Sequence, residues 1–211
     1  ESLSRLSQIY LFEEDYVNAI PLLDRLEQEA YSSENVMFAQ SNLMQGYYKT
    51  DAFELAIDYA KKILQKDKLD ISIANDAKVI IARAAIENED FRTAEEFYTE
   101  VEKNAVGELK AESLYYNAFF KNRNNEFEAS NKVVQKVIAD YSSYKYWGVK
   151  SYVTMAKNYY GLEDVYQATY VLENIIKNFS QFEDIIAEAQ KELNDIKVKE
   201  DKKNNSVTPK N

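Results

Sequence analysis

Asp15-Tyr16-Val17-Asn18-Ala19-Ile20 recurs four more times with variations: Ala52-Phe53-Glu54-Leu55-Ala56-Ile57, Asp90-Phe91-Arg92-Thr93-Ala94-Glu95, Glu126-Phe127-Glu128-Ala129-Ser130 and Asp164-Val165-Tyr166-Gln167-Ala168-Thr169. With Ala19, Ala56, Ala94, Ser130 and Ala168 as anchors, successive copies stand 37, 38, 36 and 38 residues apart. A near-constant period of this length marks a repeat architecture, in which each copy is one supersecondary unit. Tyr16, Phe53, Phe91, Phe127 and Val165 lie three residues before the anchors. Leu23/Leu26, Ala60/Ile63, Tyr98/Val101, Val134/Val137 and Leu172/Ile175 lie four and seven after them. Steps of three, four and seven put these side chains on one stripe of a helix. Acidic residues open that helix (Asp15, Asp51, Asp90, Glu126, Asp164), where they can accept from free N–H groups and oppose the positive end of the dipole. Upstream, a second stripe (Leu6-Ser7…Tyr10, Leu43-Met44…Tyr47, Ile81-Ala82…Ala85, Asn117-Ala118…Lys121, Met155-Ala156…Tyr159) defines a first helix in each copy. Its small or flexible middle residue lets the two helices approach closely.

Composition agrees with an all-helical chain. Four glycines and two prolines in 211 residues are too few to punctuate a β-sandwich or a dinucleotide-binding fold. There is no Cys and no His, which removes thiol nucleophiles, disulfides, Cys-type zinc sites and imidazole bases. The formal charge of −10 argues against a nucleic-acid partner, which needs a basic face. The longest apolar run, Val79–Ala82, is far short of a membrane span, so no direct membrane insertion is expected of this segment.

The pattern resembles the tetratricopeptide repeat (TPR), carried here by Ala82, Ala118 and Ala156, by Tyr10, Tyr47 and Tyr159, and by Ala19, Ala56, Ala94 and Ala168. The resemblance implies a right-handed α-α superhelix, a solenoid of about five helix pairs plus a C-terminal capping helix. Repeats are expected near 1–31, 34–68, 70–105, 108–142 and 145–180, with a cap helix over 181–197 and a disordered polar tail over 198–211. Three departures stand out: the repeats are long, the closing Pro is missing, and the fourth copy carries Asn117, Lys121 and Ser130 at apolar or small positions. Pro21, inside the second helix of the first repeat, is expected as a tolerated local bend. Asp140-Tyr141-Ser142-Ser143 and Asn178-Phe179-Ser180-Gln181 are similar to the inter-repeat turns of TPR proteins of the bacterial cell envelope. Those include the lipoprotein accompanying outer-membrane β-barrel assembly and the accessory protein of the Tol–Pal system. The resemblance therefore implies a periplasmic or cell-envelope location, with a cytoplasmic one as the alternative. The first residue is Glu1, and a leader, a lipid anchor or additional upstream repeats are left open.

No catalytic, cofactor or metal site is expected. Carboxylate clusters such as Glu13-Glu14-Asp15 and Glu87-Asn88-Glu89-Asp90 fall at helix starts, where capping explains them. The stripes above read as core, because apolar residues at helical spacing are normally packing. Function is expected instead on the opposite side of the first helices, facing the concave side of a solenoid. There the counting selects Tyr48, Lys49, Arg83, Tyr115, Phe119, Arg123, Lys157 and Tyr160 as a partner-binding groove. Aromatics supply contact area at low entropy cost. The basic members Lys49, Arg83, Arg123, Lys150 and Lys157 outnumber Asp76, Glu87 and Glu112, which suits an acidic protein or peptide. The expected function is a non-enzymatic protein–protein interaction scaffold. The alternatives are a ligand- or glycan-binding helical domain, stacking sugars on Tyr115, Phe119 and Tyr160, and an intracellular TPR regulator sensing a peptide.

The anchor register makes a direct prediction. Ala94→Leu overpacks a point where two helices touch and lowers stability by about 1–3 kcal/mol; an unchanged melting temperature would reject the register.

Overall fold

The computed structural model describes residues 2–207. Among them are eleven helices and no strand: α1 Ser2–Phe12, α2 Tyr16–Glu29, α3 Ser33–Lys49, α4 Phe53–Leu64, α5 Ile71–Glu87, α6 Phe91–Asn104, α7 Gly107–Arg123, α8 Phe127–Asp140, α9 Lys145–Gly161, α10 Val165–Asn178 and α11 Glu183–Val207. The first ten form five antiparallel pairs. The chain divides into two compact bodies, one up to Asn104 and one from Ala105. Within each body a first helix packs on the second helix before it: α3 on α2 and α5 on α4, then α9 on α8 and α11 on α10.

All five anchors are fully buried, and so are the residues twelve before them: Ser7, Met44, Ala82, Ala118 and Ala156. All ten residues four and seven after the anchors are also buried. The five residues three before the anchors are half-buried. Pro21 lies inside α2 without ending it.

The tight turn inside each pair is built the same way five times. Glu14, Asp51, Glu89, Asn125 and Glu163, each five before its anchor, have φ of 57, 59, 56, 59 and 65°. The next N–H reaches back five residues to close the first helix: Asp15 to Tyr10 (2.8 Å), Ala52 to Tyr47 (2.9 Å), Asp90 to Ala85 (2.8 Å), Glu126 to Lys121 (2.8 Å) and Asp164 to Tyr159 (2.9 Å). This is a Schellman closure, which places one residue in the left-handed region. None of the five is glycine, so each turn holds a conformation that costs L-residues roughly 1–2 kcal/mol. Three of the expected caps form, with Asp15, Asp90 and Asp164 accepting from the N–H of Asn18, Thr93 and Gln167. Glu126 caps nothing with its side chain. Asp51 sits in the left-handed turn instead, so α4 starts from Ala52 without a side-chain cap.

The departures of the fourth repeat serve a buried polar network. Ser130 Oγ donates to the Ala118 carbonyl at 2.7 Å and accepts from Asn158 Nδ2 at 2.8 Å. Asn158, fully buried on α9, also donates to Asn131 Oδ1 (2.8 Å) and accepts from Asn122 Nδ2 (2.7 Å). Every polar atom of its amide is thereby satisfied, which is what full burial demands. The anchor hydroxyl belongs to this junction between α7, α8 and α9.

In the N-terminal body a second polar cluster joins α2, α3 and α4. Tyr59 Oη donates to Glu27 at 2.9 Å, Gln40 Nε2 donates to Glu27 at 2.5 Å, and Lys62 pairs with Glu27. Tyr47 and Tyr59 stack at 5.6 Å and both reach Asp24, at 3.4 and 3.5 Å. Burial pushes the Asp24 carboxyl above its ordinary range, only partly offset by the tyrosine hydroxyls. Burial pulls Glu27 the same way, but Lys62, Gln40 and Tyr59 together outweigh it and hold its carboxyl low. Burial and Glu27 push the Tyr59 hydroxyl up.

Position ten before the anchor is buried in repeats two to five (Gly46, Ala84, Phe120, Asn158). Position thirteen is buried at Leu43, Ile81 and Met155. In the first repeat the corresponding Leu6 and Ile9 are 42% and 53% exposed.

The cap helix corrects the expected boundary. Residues 198–207, read as the start of a disordered tail, continue α11, while residues 208–211 lie outside the described residues. Composition alone missed what holds this segment. Glu200 accepts from Tyr160 Oη at 3.0 Å, and Lys199 and Lys203 lie over the Tyr160 ring at 5.5 and 5.6 Å.

Three outcomes follow from the polar clusters. Ser130→Ala restores the small apolar residue of the other anchors, yet it lowers stability by about 1–3 kcal/mol by stripping a partner from buried Asn158; urea midpoints that rise or stay level would contradict the network. Glu27→Gln lowers stability at neutral pH by about 1 kcal/mol, since Lys62 is half in solvent. A depressed carboxyl contributes stability above its unfolded pKa that is lost as pH falls through the folded one, so this variant also flattens the acid limb. Asp24→Asn acts oppositely, because a raised carboxyl costs stability once ionised. It stabilises at neutral pH, and the gain vanishes as pH falls through the raised pKa. Urea midpoints between about pH 3 and 7 check both signs.

Candidate functional site

Of the eight groove residues read from the sequence, three lie in the N-terminal body. Lys49 ends α3 in solvent, and Tyr48 beside it is half-buried, its ring 5.7 Å from Phe53. Arg83 is half-buried on α5, where its charge opposes the upward push of burial on the Asp76 carboxyl.

The other five lie in the C-terminal body, on α7 and α9, and the structure sorts them. Tyr115 is 4% exposed, not a groove residue as expected. Its line, fifteen before the anchor, is buried at the equivalent Val79 and Val153 as well. Trp147 of α9 covers it at 5.5 Å, and Tyr116 and Phe119 adjoin it at 4.9 and 6.5 Å. Burial drives its hydroxyl strongly up, reinforced by the charge of Glu188. Phe119 is half-buried at the margin of this aromatic cluster, and the Arg123 guanidinium lies 5.8 Å over its ring. Lys150 lies 5.7 Å over Tyr115 and 5.4 Å over Tyr146, placing a cation on two π faces. Glu112, counted from the sequence among the groove charges, is 1% exposed.

Lys157 and Tyr160 are engaged by the chain's own α11. Lys157 Nζ pairs with Glu188 at 2.7 Å and lies 3.9 Å from Glu192, while Tyr160 donates to Glu200. Earlier on the same helix, Tyr146 Oη donates to Asp184 at 2.7 Å, and burial together with this bond raises its hydroxyl. Asp184, Glu188 and Glu192 stand four apart, on one face of α11. The first-helix face of α9 thus holds an acidic helix, aromatic to carboxylate and lysine to carboxylate along its length. The counting of positions missed Tyr146, Trp147 and the carboxylates of α11. The run Tyr144-Lys145-Tyr146-Trp147 was the available signal, but it lies earlier on its helix than the positions counted.

The residues chosen for sugar stacking do not form a platform, since Tyr115 is buried and lysines cover Tyr160. A separate pocket of 270 Å³ is lined by Tyr152, Tyr170, Val171, Asn174, Ile175 and Phe179. Among the described residues no group of three acidic side chains is placed to hold a metal. No described helix is long and apolar enough to cross a membrane.

No family model and no curated protein matches the chain. Among the solved structures that share its fold are two of the nearly identical TPR-like repeats of a Podosopora anserina protein described as a kinesin light chain, one of them a point variant. The variant superposes with a TM-score of 0.60 at 17% identity, covering 90% of this chain and 95% of its own. The other gives 0.59 at 17% identity, covering 82% and 92%. The fold is that of a TPR-like helical repeat.

Proposed function

We propose that the chain is a non-enzymatic protein-interaction scaffold that takes acidic helical or extended segments on the face of its first helices. The observation that carries this reading is the seating of α11, whose Asp184, Glu188, Glu192 and Glu200 meet Tyr146, Lys157 and Tyr160 of α9. A face that holds an acidic helix of its own chain has the chemistry to hold one from another protein. On this reading Lys157 and Tyr160 serve the internal helix. Phe119 and Arg123 of α7 address the external partner in the C-terminal body, and Tyr48, Lys49 and Arg83 of α3 and α5 offer similar chemistry on the N-terminal body by itself. The aromatics provide anchoring area, and the basic groups provide orientation and on-rate.

A cell-envelope setting is part of the proposal. It is supported by Tyr141 and Phe179, which close α8 and α10 alike, each carbonyl accepting from the N–H three residues on (Tyr144 and Phe182, 3.0 Å each). These are the turns whose sequences are similar to those of envelope TPR proteins.

The test is affinity capture from the native cell, with the bound partner then measured against purified protein. The expected partner surface is acidic. Phe119→Ala with Arg123→Ala should weaken binding by more than about 2 kcal/mol and lower its salt dependence while the protein still melts cooperatively. Unchanged affinity and salt dependence would remove this face from the interaction.

A further inference from the structure

Two cavities of the C-terminal body lie away from the first-helix face, and they meet. The first, of 270 Å³, is walled by Tyr152, Tyr170 and Phe179 together with Val171 and Ile175. The second, of 300 Å³, extends from Tyr152 and Phe179 past Gly148 to Lys145 and takes in Ile138 of α8. Tyr152 and Phe179 line both, so the two form one trough across α8, α9 and α10. On α9, Lys145, Gly148 and Tyr152 fall at steps of three and four, on a different side of the helix from Tyr146, Lys150 and Lys157. Gly148 is the residue that packing does not explain. A glycine within a helix weakens it relative to alanine, and the equivalent residues twenty before the other anchors are Val36, Ala74 and Lys110. Gly46 has a packing reason, since a Cβ there would come within 3.2 Å of Ile20. A Cβ on Gly148 would meet nothing within 4 Å, so the missing side chain serves only to keep the second cavity open.

We propose that this trough is a second interaction site, which takes an extended peptide carrying a large apolar side chain and, a few residues away, an aspartate or glutamate. It goes beyond the first-helix reading, and neither depends on the other. The apolar anchor belongs in the first cavity, whose lining carries no charge. Lys145 selects the acidic residue: among the residues lining the two cavities it is the one charged side chain, in a chain of net charge −10. Its fellow lysines on α9 are engaged internally, Lys150 over Tyr115 and Tyr146 and Lys157 with Glu188, whereas Lys145 is exposed. Seven residues of α9 separate Tyr152 from Lys145. That is about 10 Å, which an extended chain crosses in about three residues. The amides of Asn174, Asn178 and Gln181 along the trough select the extended form. Asn174 and Asn178 each donate one N–H to a carbonyl of their own helix, that of Tyr170 at 2.7 Å and that of Asn174 at 3.0 Å. This fixes each side chain and leaves its Oδ1 and second N–H to pair outward. Such groups match the bare N–H and C=O of an extended backbone, whereas a helix has already paired its own.

The experiment selects a displayed library of random linear peptides on the full chain, then measures the enriched sequences as synthetic peptides by fluorescence anisotropy. They are expected to share a large apolar residue with an acidic one about two to four positions away, and to stay non-helical by circular dichroism when bound. Gly148→Leu, which fills the trough, is expected to weaken binding by about tenfold or more. It should melt no lower than the parent, since leucine favours helix over glycine. Lys145→Glu is expected to weaken binding by about tenfold, with rescue by a peptide carrying lysine in place of its acidic residue. Phe119→Ala with Arg123→Ala is expected to leave this binding unchanged, which keeps its failure distinguishable from a failure of the first-helix reading. The proposal is overturned if nothing enriches, if Gly148→Leu or Lys145→Glu binds as the parent does, or if the enriched peptides lack the acidic residue or turn helical. It is equally overturned if every enriched peptide is lost with Phe119 and Arg123 instead.

Discussion

The contact on which the rest depends is the approach of two helices at each anchor. Ala19, Ala56, Ala94, Ser130 and Ala168 are all without solvent exposure, and the residues twelve before them are at most 1% exposed. A small side chain at the crossing lets the backbones close up, and close packing there fixes where the flanking stripes of Leu, Ile, Val and Tyr must go. The turn that returns the chain for this contact uses a left-handed residue each time, without glycine. Five such turns hold because the packed pair around each leaves the backbone no other path, so tertiary contact stabilises a locally unfavourable conformation.

Ser130 illustrates how one repeat can depart from the rule without losing the contact. Its hydroxyl would be costly in an apolar crossing, but the Ala118 carbonyl and Asn158 absorb both of its hydrogen-bonding roles. The departure is therefore coupled across a repeat boundary, from α8 to α9. Asp24 and Glu27 show the contrasting case at the surface of the other body. Two carboxylates one turn apart experience opposite net effects, because Lys62, Gln40 and Tyr59 outweigh burial at Glu27 while the hydroxyls of Tyr47 and Tyr59 do not at Asp24.

The proposed binding chemistry grows from the same architecture. First helices carry their packing stripe on one side and leave the other for contact, and α9 devotes that side to aromatic and lysine groups. The acidic face of α11 completes it, so the cap of the repeat stack is held by polar contacts as well as by the core formed by Ile185, Ala189 and Ile196. This double attachment explains why helix persists through a segment whose composition, rich in Lys and Asn, gives little reason for it.

The period, the helix pairs and the core stripes were legible in the sequence because helical spacing is a local geometric fact. Any chain with small anchors and apolar residues at steps of three, four and seven must bury that stripe. Phe119 and Arg123 were legible as neighbours on a first helix for the same reason. What the sequence could not supply is which side of a helix meets another helix at long range. Tyr115 falls on the counted groove line, yet Trp147, thirty-two residues later, covers it. Lys157 and Tyr160 look equally available until Glu188, Glu192 and Glu200 are brought onto them from α11. The sequence alone determined the repeat, since periodicity is written in every copy. Tertiary structure decided which aromatics and charges are taken up internally, since that depends on contacts between helices that no local spacing encodes.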